Sequence, residues 1–392
     1  MNENKISNRS LVTPPSFIRG ILKVTENEEV ISFAGGLPNP ISFPKEALKE
    51  STQRVIDTFG SKVFQYASTA GLLPLREGIA ARLNEMYEMD ITAEEILITT
   101  GSQQALDLIG KVLINQDDAV IVEEPGYLGA IQAFSQYQPH FLPIPLENDG
   151  MDIRELEQTL KENRVKFAYL VPNYQNPSGV TYSDEKRKEI LALARKYDCI
   201  LVEDDPYGEL SFDGKPRGYI SAHDLEGSIL LGTFSKTVTP GMRLGFMIVR
   251  DAKLRKYINT AKEAADLHSN IFSQYIIWDY MMHNPIEAHI AQIRNLYKAQ
   301  CQTMLSAMAE YFPKEVTFTK PAGGMFIWAT LPKGQSAMKL FEKAKAEKVA
   351  FVPGNPFYTD GREANTLRLN YTNSSHEMIE EGIIRIGKIL TT

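Results

Sequence analysis

Thr233-Phe-Ser235-Lys236-Thr-Val-Thr-Pro-Gly-Met-Arg243-Leu-Gly is the stretch on which the fold and chemistry of this chain turn. It sets one lysine among small hydroxyl residues and puts an arginine seven positions later. An amine can form a Schiff base with a carbonyl cofactor, while a hydroxyl and a guanidinium can hold that cofactor's phosphate. Taken alone, the segment also reads as a solvated loop, and its surroundings decide between the two.

Those surroundings are short aliphatic runs. Ser228-Ile-Leu-Leu-Gly232 lies just before it and Leu244-Gly-Phe-Met-Ile-Val249 just after. Further upstream lie Glu95-Ile-Leu-Ile-Thr-Thr100, Ala119-Val-Ile-Val-Glu123, Phe167-Ala-Tyr-Leu-Val171 and Cys199-Ile-Leu-Val-Glu203. Each is bounded by turn or polar residues and reads as a buried strand. Helical patterns over Ser102–Ile114 and Ser183–Tyr197 alternate with them. Such alternation predicts an α/β fold, a mostly parallel sheet with helices on both faces.

After about residue 286 the pattern changes. A long helix over Ile286–Tyr311 leads to strands near Val316–Thr319 and Gly324–Thr330, a helix over Ser336–Glu347, strands near Ala350–Val352 and Leu367–Tyr371, and a last helix from Ser375. This predicts a large domain over 50–285. A smaller α+β domain combines 286–392 with residues 1–49, which are too few to fold alone. The first 49 residues carry an apolar helical patch, Phe17 to Val24, and a Gly/Pro-rich turn, Gly35 to Pro40.

Of 392 residues, 43% are hydrophobic and 23% charged, as in a soluble globular protein, and a chain this long points to two domains. The net charge is -7 with no dense basic stripe, which argues against a nucleic-acid or anionic-membrane surface. The two cysteines, Cys199 and Cys301, form no CxxC pair, so neither a disulfide framework nor a structural zinc site is expected, and a reducing cytoplasm fits. The polar N-terminus shows no signal peptide, and no apolar run is long enough to span a membrane.

A phosphorylated pyridine cofactor needs more than a lysine. Backbone N–H groups at a helix start would hold its phosphate, and Thr99-Thr-Gly101-Ser102-Gln103-Gln104 supplies a strand, a glycine turn and a helix N-terminus. An ordinary turn capped by Ser102 gives the same pattern. A carboxylate beside the ring nitrogen would keep it protonated. Glu203-Asp204-Asp205-Pro-Tyr207 follows a strand, at the edge where parallel sheets bind ligands, so Asp204 and Tyr207 can reach one ring. A solvated acidic turn is the bland alternative, and a metal site the weaker one, because no histidine or further carboxylate stands at ligand spacing. Asn176, in Gln175-Asn176-Pro-Ser-Gly179, can donate to a phenolate oxygen, though these residues also favour plain turns. Tyr127, in Glu124-Pro-Gly-Tyr127, can stack on a planar ring or simply join the core.

Taken together, Gln65-Tyr66, Gly101-Ser-Gln-Gln104, Gln175-Asn176-Pro-Ser-Gly179, Asp204-Asp-Pro-Tyr207 and Ser235-Lys236 with Arg243 resemble the ordered motifs of class I/II aminotransferases of the aspartate aminotransferase fold. The resemblance runs from Phe33 to Asn370. Within that family the chain is most similar to the 2-aminoadipate/kynurenine group, on Ser16-Phe-Ile-Arg19-Gly-Ile-Leu-Lys23 and the Asp-Asp-Pro-Tyr motif. It implies pyridoxal 5'-phosphate (PLP) as cofactor, fold type I with a seven-stranded, mostly parallel sheet, and a homodimer with shared sites. Lys236 would bind the cofactor covalently and then shuttle a proton. Asp204 would pair with the ring nitrogen, Asn176 and Tyr207 with the ring oxygen, and Tyr127 would stack on the ring. Ser102, Gln103, Ser235 and Arg243 would hold the phosphate, and Tyr66 would reach the phosphate of the neighbouring subunit. Arg368 would bind the substrate carboxylate, Gly36 would line the substrate site, and Arg19 would select the side chain.

The implied activity is transfer of an amino group from an L-amino acid, such as 2-aminoadipate or an aromatic or aliphatic one, to a 2-oxo acid such as 2-oxoglutarate, in a ping-pong mechanism. The same fold and lysine also serve C–S β-lyases and other eliminations or decarboxylations. A non-catalytic ligand-sensing domain is the weaker alternative, since only about 30 residues precede Phe33.

Overall fold

Strand β1 (Ile31–Ser32) opens the ordered sheet structure and pairs with a strand late in the chain. The computed structural model describes residues 5–13, 20–21 and 29–391. The large-domain strands then follow as β2 (Ile96–Thr99), β3 (Ala119–Glu124), β4 (His140–Glu147), β5 (Gly150–Met151), β6 (Val165–Leu170), β7 (Ile200–Asp204), β8 (Ser228–Thr233) and β9 (Gly245–Val249), the six aliphatic runs being all of these but β4 and β5. These eight form one sheet in the order β2-β9-β8-β7-β6-β3-β4-β5. Neighbours from β8 to β4 are parallel. Only β9, between β2 and β8, and the short β5 run against their neighbours.

The expected seven-stranded, mostly parallel sheet is therefore present, with the two-residue β5 added as an eighth strand at its edge. The seventh strand, β4, has no counterpart among the aliphatic runs because Pro143 and Pro145 interrupt its pattern. β4 pairs with β3 along its length but with β5 only at Leu146 and Glu147. A largely unpaired outer side tolerates prolines, which lack the N–H needed between two neighbours.

Side chains of successive residues leave a strand on opposite faces. Leu97 packs into one hydrophobic cluster while Ile96 and Ile98 join another. On β6, Phe167 and Tyr169 face the first cluster, and Ala168 and Leu170 a third. Both faces are thus covered, which is why these strands read as continuous apolar runs. Helices Ser102–Leu113 and Leu128–Ser135 contribute Leu106, Ile109 and Phe134 to the first face. Helices Leu73–Tyr87 and Ile271–His283 contribute Leu75, Ile79 and Ile277 to the second.

The C-terminal part is built differently. Strands β10 (Thr317–Phe318), β11 (Phe326–Thr330), β13 (Val352–Pro353) and β14 (Thr366–Asn370) form an antiparallel sheet, and β12 (Val349–Ala350) pairs in parallel with β1. The helix Ile286–Tyr311 has the bounds expected from its sequence. Ser183 and Ser336 sit one residue before their helices, each accepting a hydrogen bond from a backbone N–H of the first turn. Most of the apolar patch Phe17–Val24 lies outside the described residues.

Candidate active site

In a parallel sheet, the loops after the strands gather at one edge. Here the loops after β2, β3, β6, β7 and β8 enclose a cavity of about 260 Å³. It brings together Gly36, Ser102, Gln103, Tyr127, Asn176, Asp204, Tyr207, Ser235, Lys236, Arg243 and Arg368. Chain segments more than 300 residues apart meet here, for Arg368 Nη2 donates to the Ala34 carbonyl at 2.7 Å.

Lys236 follows β8, and its Nζ donates to the carbonyl of Gly36 at 2.8 Å. Burial, and then the cations Arg368 and Arg243, push its amine down to about 8. A larger fraction of it is therefore neutral and nucleophilic near pH 7 than in an exposed lysine.

Asp204 ends β7 and is buried. Its Oδ2 accepts a 2.8 Å hydrogen bond from the Tyr169 hydroxyl, while Oδ1 has no partner among the described residues. Burial pushes this carboxyl up to about 7, against the opposing pull of Tyr169. Its neighbours in the acidic run are engaged elsewhere. Asp205 accepts from Asn173 Nδ2 at 3.1 Å and from Gly208 N at 2.9 Å, and Glu203 from Ile220 N at 3.1 Å and Ser221 N at 2.8 Å. Of the three carboxylates, only Asp204 lines the cavity.

Asn176 joins two other groups. Its Nδ2 donates to the Tyr207 hydroxyl at 3.3 Å, and its Oδ1 accepts from Arg368 Nη1 at 2.8 Å. Arg368 is 1% exposed and lies between the rings of Phe326 and Phe357, 4.4 and 5.3 Å from their centroids. Among the described residues no carboxylate pairs with it, and its Nε has no partner. Burial pushes this guanidinium down to about 10. A buried, unpaired guanidinium is expensive unless an anion arrives to match its planar fork. Burial likewise pushes the Tyr127 hydroxyl up to about 12 and that of Tyr207 higher, so both remain hydrogen-bond donors.

The start of the helix after β2 also meets the cavity. Gly101 precedes helix Ser102–Leu113 with φ 72°, a left-handed conformation that glycine adopts freely. A Cβ there would lie 2.7 Å from Arg243 Nη2. Strand register sets this closeness, since Thr99 and Thr233 both pair with Gly245. Ser102 at the N–H end of the helix, Arg243 and Ser235 all line the cavity, and the buried Ser102 Oγ has no partner among the described residues.

Tyr66 is not among these residues. It is 79% exposed, with its ring edge-on to His268 at 5.9 Å. Arg19 lies outside the described residues. Two features went unread in the sequence. One is Tyr169, the partner of Asp204. The other is buried Glu123, which accepts from Val171 N at 2.9 Å, Tyr182 Oη at 2.7 Å and Gln175 Nε2 at 2.9 Å. Gln175 in turn accepts from Ser178 N at 2.8 Å, so this network braces the loop that carries Asn176. A polar residue inside an aliphatic run was the available signal in both cases.

Known proteins resemble this chain over nearly its whole length. An aromatic-amino-acid aminotransferase of Thermococcus litoralis is 44% identical, covering 99% of this chain and 94% of the relative. The crystal structure of a kynurenine aminotransferase from Pyrococcus horikoshii, in complex with PMP, superposes with a TM-score of 0.95 at 43% identity, covering 99% of this chain and 97% of that one. An α-aminoadipate aminotransferase from Thermus thermophilus, complexed with N-(5'-phosphopyridoxyl)-L-leucine, gives a TM-score of 0.93 at 39% identity over 99% of this chain and 98% of its own. The model of the family "Aminotransferase class I and II" matches residues 37–386, and this chain belongs to that family.

Proposed function

We propose that this protein is a PLP-dependent aminotransferase. It would move the amino group of an L-amino acid, 2-aminoadipate or an aromatic or aliphatic one, to a 2-oxo acid such as 2-oxoglutarate, by a ping-pong mechanism. The observation that carries this is one cavity holding a softened lysine amine, a buried carboxylate and a buried unpaired guanidinium. Three buried polar atoms on residues that line it, Asp204 Oδ1, Ser102 Oγ and Arg368 Nε, have no hydrogen-bond partner among the described residues. They fit, in turn, a ring N–H, a phosphate oxygen and a substrate carboxylate.

PLP, when bound, supplies an electron sink conjugated to the substrate's Cα. The chain supplies position and protons. Arg368 would bind the α-carboxylate, and Asn176 and Tyr207 would bind the ring oxygen. Asp204 would pair with the ring nitrogen, and Tyr127 would stack on the ring. Ser102, Gln103, Ser235 and Arg243 would hold the phosphate. Lys236 would take the proton from the substrate's Cα and move it to C4'. Gly36 leaves room for the substrate and anchors Lys236 through its carbonyl.

The site draws on a cofactor-binding domain, 50–285, and a smaller domain, 1–49 with 286–392. In support, the eight-stranded sheet lies wholly in the first and the remaining strands in the second. A homodimer in which Tyr66 serves the neighbour's phosphate fits the exposed aromatics Phe64 and Tyr66, 67% and 79% accessible. Arg19 as side-chain selector rests on the family resemblance. No helix among the described residues is long and apolar enough to cross a membrane, and free buried Cys199 and Cys301 fit a cytoplasmic protein.

The test is a panel of amino donors against 2-oxoglutarate and pyruvate, with new amino acid and 2-oxo acid both quantified. Matched formation of the two supports transamination. Ammonia release without a new amino acid would assign an elimination instead, and no turnover with any donor would support the sensing role.

A further inference from the structure

Among the described residues the Asp204 carboxylate has one hydrogen-bond partner, Tyr169, and packing holds that partner in place. Tyr169 sits on β6, beside β7, with Tyr169 in register with Val202, two residues before Asp204. The tyrosine is 1% exposed. Phe134 meets its ring edge-on at 5.7 Å, from the helix covering that face of the sheet. The ring has little room to turn, and its hydroxyl donates to Asp204 Oδ2 at 2.8 Å. Burial beside carboxylates holds the Tyr169 hydroxyl in its protonated form, so it remains a donor. The other carboxylate oxygen, Oδ1, is buried and unpartnered, on a residue that lines the cavity.

This arrangement bears on where a shared proton rests. A carboxylate that already accepts a hydrogen bond is a weaker base than a bare one. If Asp204 stood alone in its buried setting it would be strongly basic, and would draw a proton off any ring nitrogen it faced. A neutral ring nitrogen withdraws electrons poorly. A donor on Oδ2 lowers the basicity of the whole carboxylate and leaves the proton across the contact at Oδ1.

We propose that Tyr169 is a positioning residue that keeps the shared proton on the cofactor's ring nitrogen, through its hydrogen bond to Asp204. The inference rests on the PLP-dependent reading above and assigns that site a further residue. Tyr169 does not line the cavity and would act only through Asp204.

The test uses wild-type enzyme and Tyr169→Phe loaded with PLP labelled with ¹⁵N in the ring. The ring nitrogen resonance should be pyridinium-like in the wild type and move toward neutral pyridine in the variant. The variant should also bind PLP about tenfold more weakly, as for loss of one hydrogen bond to a charged group. In an Asp204→Asn background, Tyr169→Phe should add no further loss of affinity. Phe134→Leu loosens the same ring but keeps the hydroxyl, and should leave the resonance in place. An unchanged nitrogen resonance in folded Tyr169→Phe would overturn the proposal. So would equal affinity losses in both Asp204 backgrounds, or a Phe134→Leu shift matching that of Tyr169→Phe. Failure of the wild type to bind PLP would instead refute the underlying functional reading.

Discussion

Arg368 and Asn176 stand 192 residues apart in the chain, yet the guanidinium donates to the side-chain carbonyl at 2.8 Å inside the cavity. That bond, with the one from Nη2 to the Ala34 carbonyl, fixes the guanidinium at the cavity wall. The Asn176 amide donates to Tyr207, so a group expected at the substrate carboxylate and a group expected at the cofactor share one hinge.

Arg368→Lys keeps a charge but loses the planar fork. It should lower kcat/KM by about 10²–10³-fold for every α-amino acid donor, the scale of losing one partner of a buried pair. PLP loading should change little. Steady-state kinetics across the donor panel, with a PLP titration alongside, checks this. A loss limited to acidic donors would place Arg368 at the side chain rather than at the α-carboxylate.

Asp204 and Asp205 are adjacent and both buried, but they should fail differently. Asp204→Asn should reduce kcat by at least about 10²-fold by removing the carboxylate from the ring nitrogen. Asp205→Asn breaks contacts to Asn173 and Gly208 and should chiefly lower Tm. Turnover and thermal melts of the two variants decide it, and similar kcat losses in both would contradict the separation.

Gly101→Ala tests the phosphate end. The position needs φ 72° and its new Cβ would meet Arg243 Nη2 at 2.7 Å. Backbone strain of about 1–3 kcal/mol and a displaced guanidinium should weaken PLP binding roughly tenfold or more. Fluorescence titration with PLP and with pyridoxal separates the effects. The loss should be larger for the phosphorylated form, and an equal loss for both would remove Arg243 from the phosphate.

Burial pushes Glu123, Asp204 and Asp205 each up to about 7. In the unfolded chain such groups titrate near about 4. Between these values the folded protein holds protons that the unfolded chain has released. The stability of the cofactor-free protein should therefore fall as pH rises from about 4 to 7. Lys236, pushed down to about 8, acts in the opposite sense but only above that pH. Melts of cofactor-free protein across pH 5–8 should show the decline, and Asp204→Asn should flatten it. A Tm that climbs through this range would show that these carboxylates are ionised throughout in the fold.

The sequence by itself determined six strands of the central sheet and the helix over Ile286–Tyr311, and its family resemblance pointed to most of the residues that line the cavity. Local chemistry reports such features: buried strands must be aliphatic on both faces, and a lysine, an acid before Pro-Tyr and a glycine at a helix start stand out in a chain. The edge strand β4 stayed hidden because an unpaired side lets Pro143 and Pro145 break the pattern. Only the tertiary structure decided what those residues meet. The family resemblance already points to Asp204; what packing adds is how Asp205 is engaged instead, by Asn173 and the backbone of Gly208. That Tyr169 hydrogen-bonds Asp204, and that Arg368 has no counter-charge among the described residues, are likewise facts of packing. They depend on strands and loops far apart in the chain arriving at one edge of the sheet, which no local pattern records.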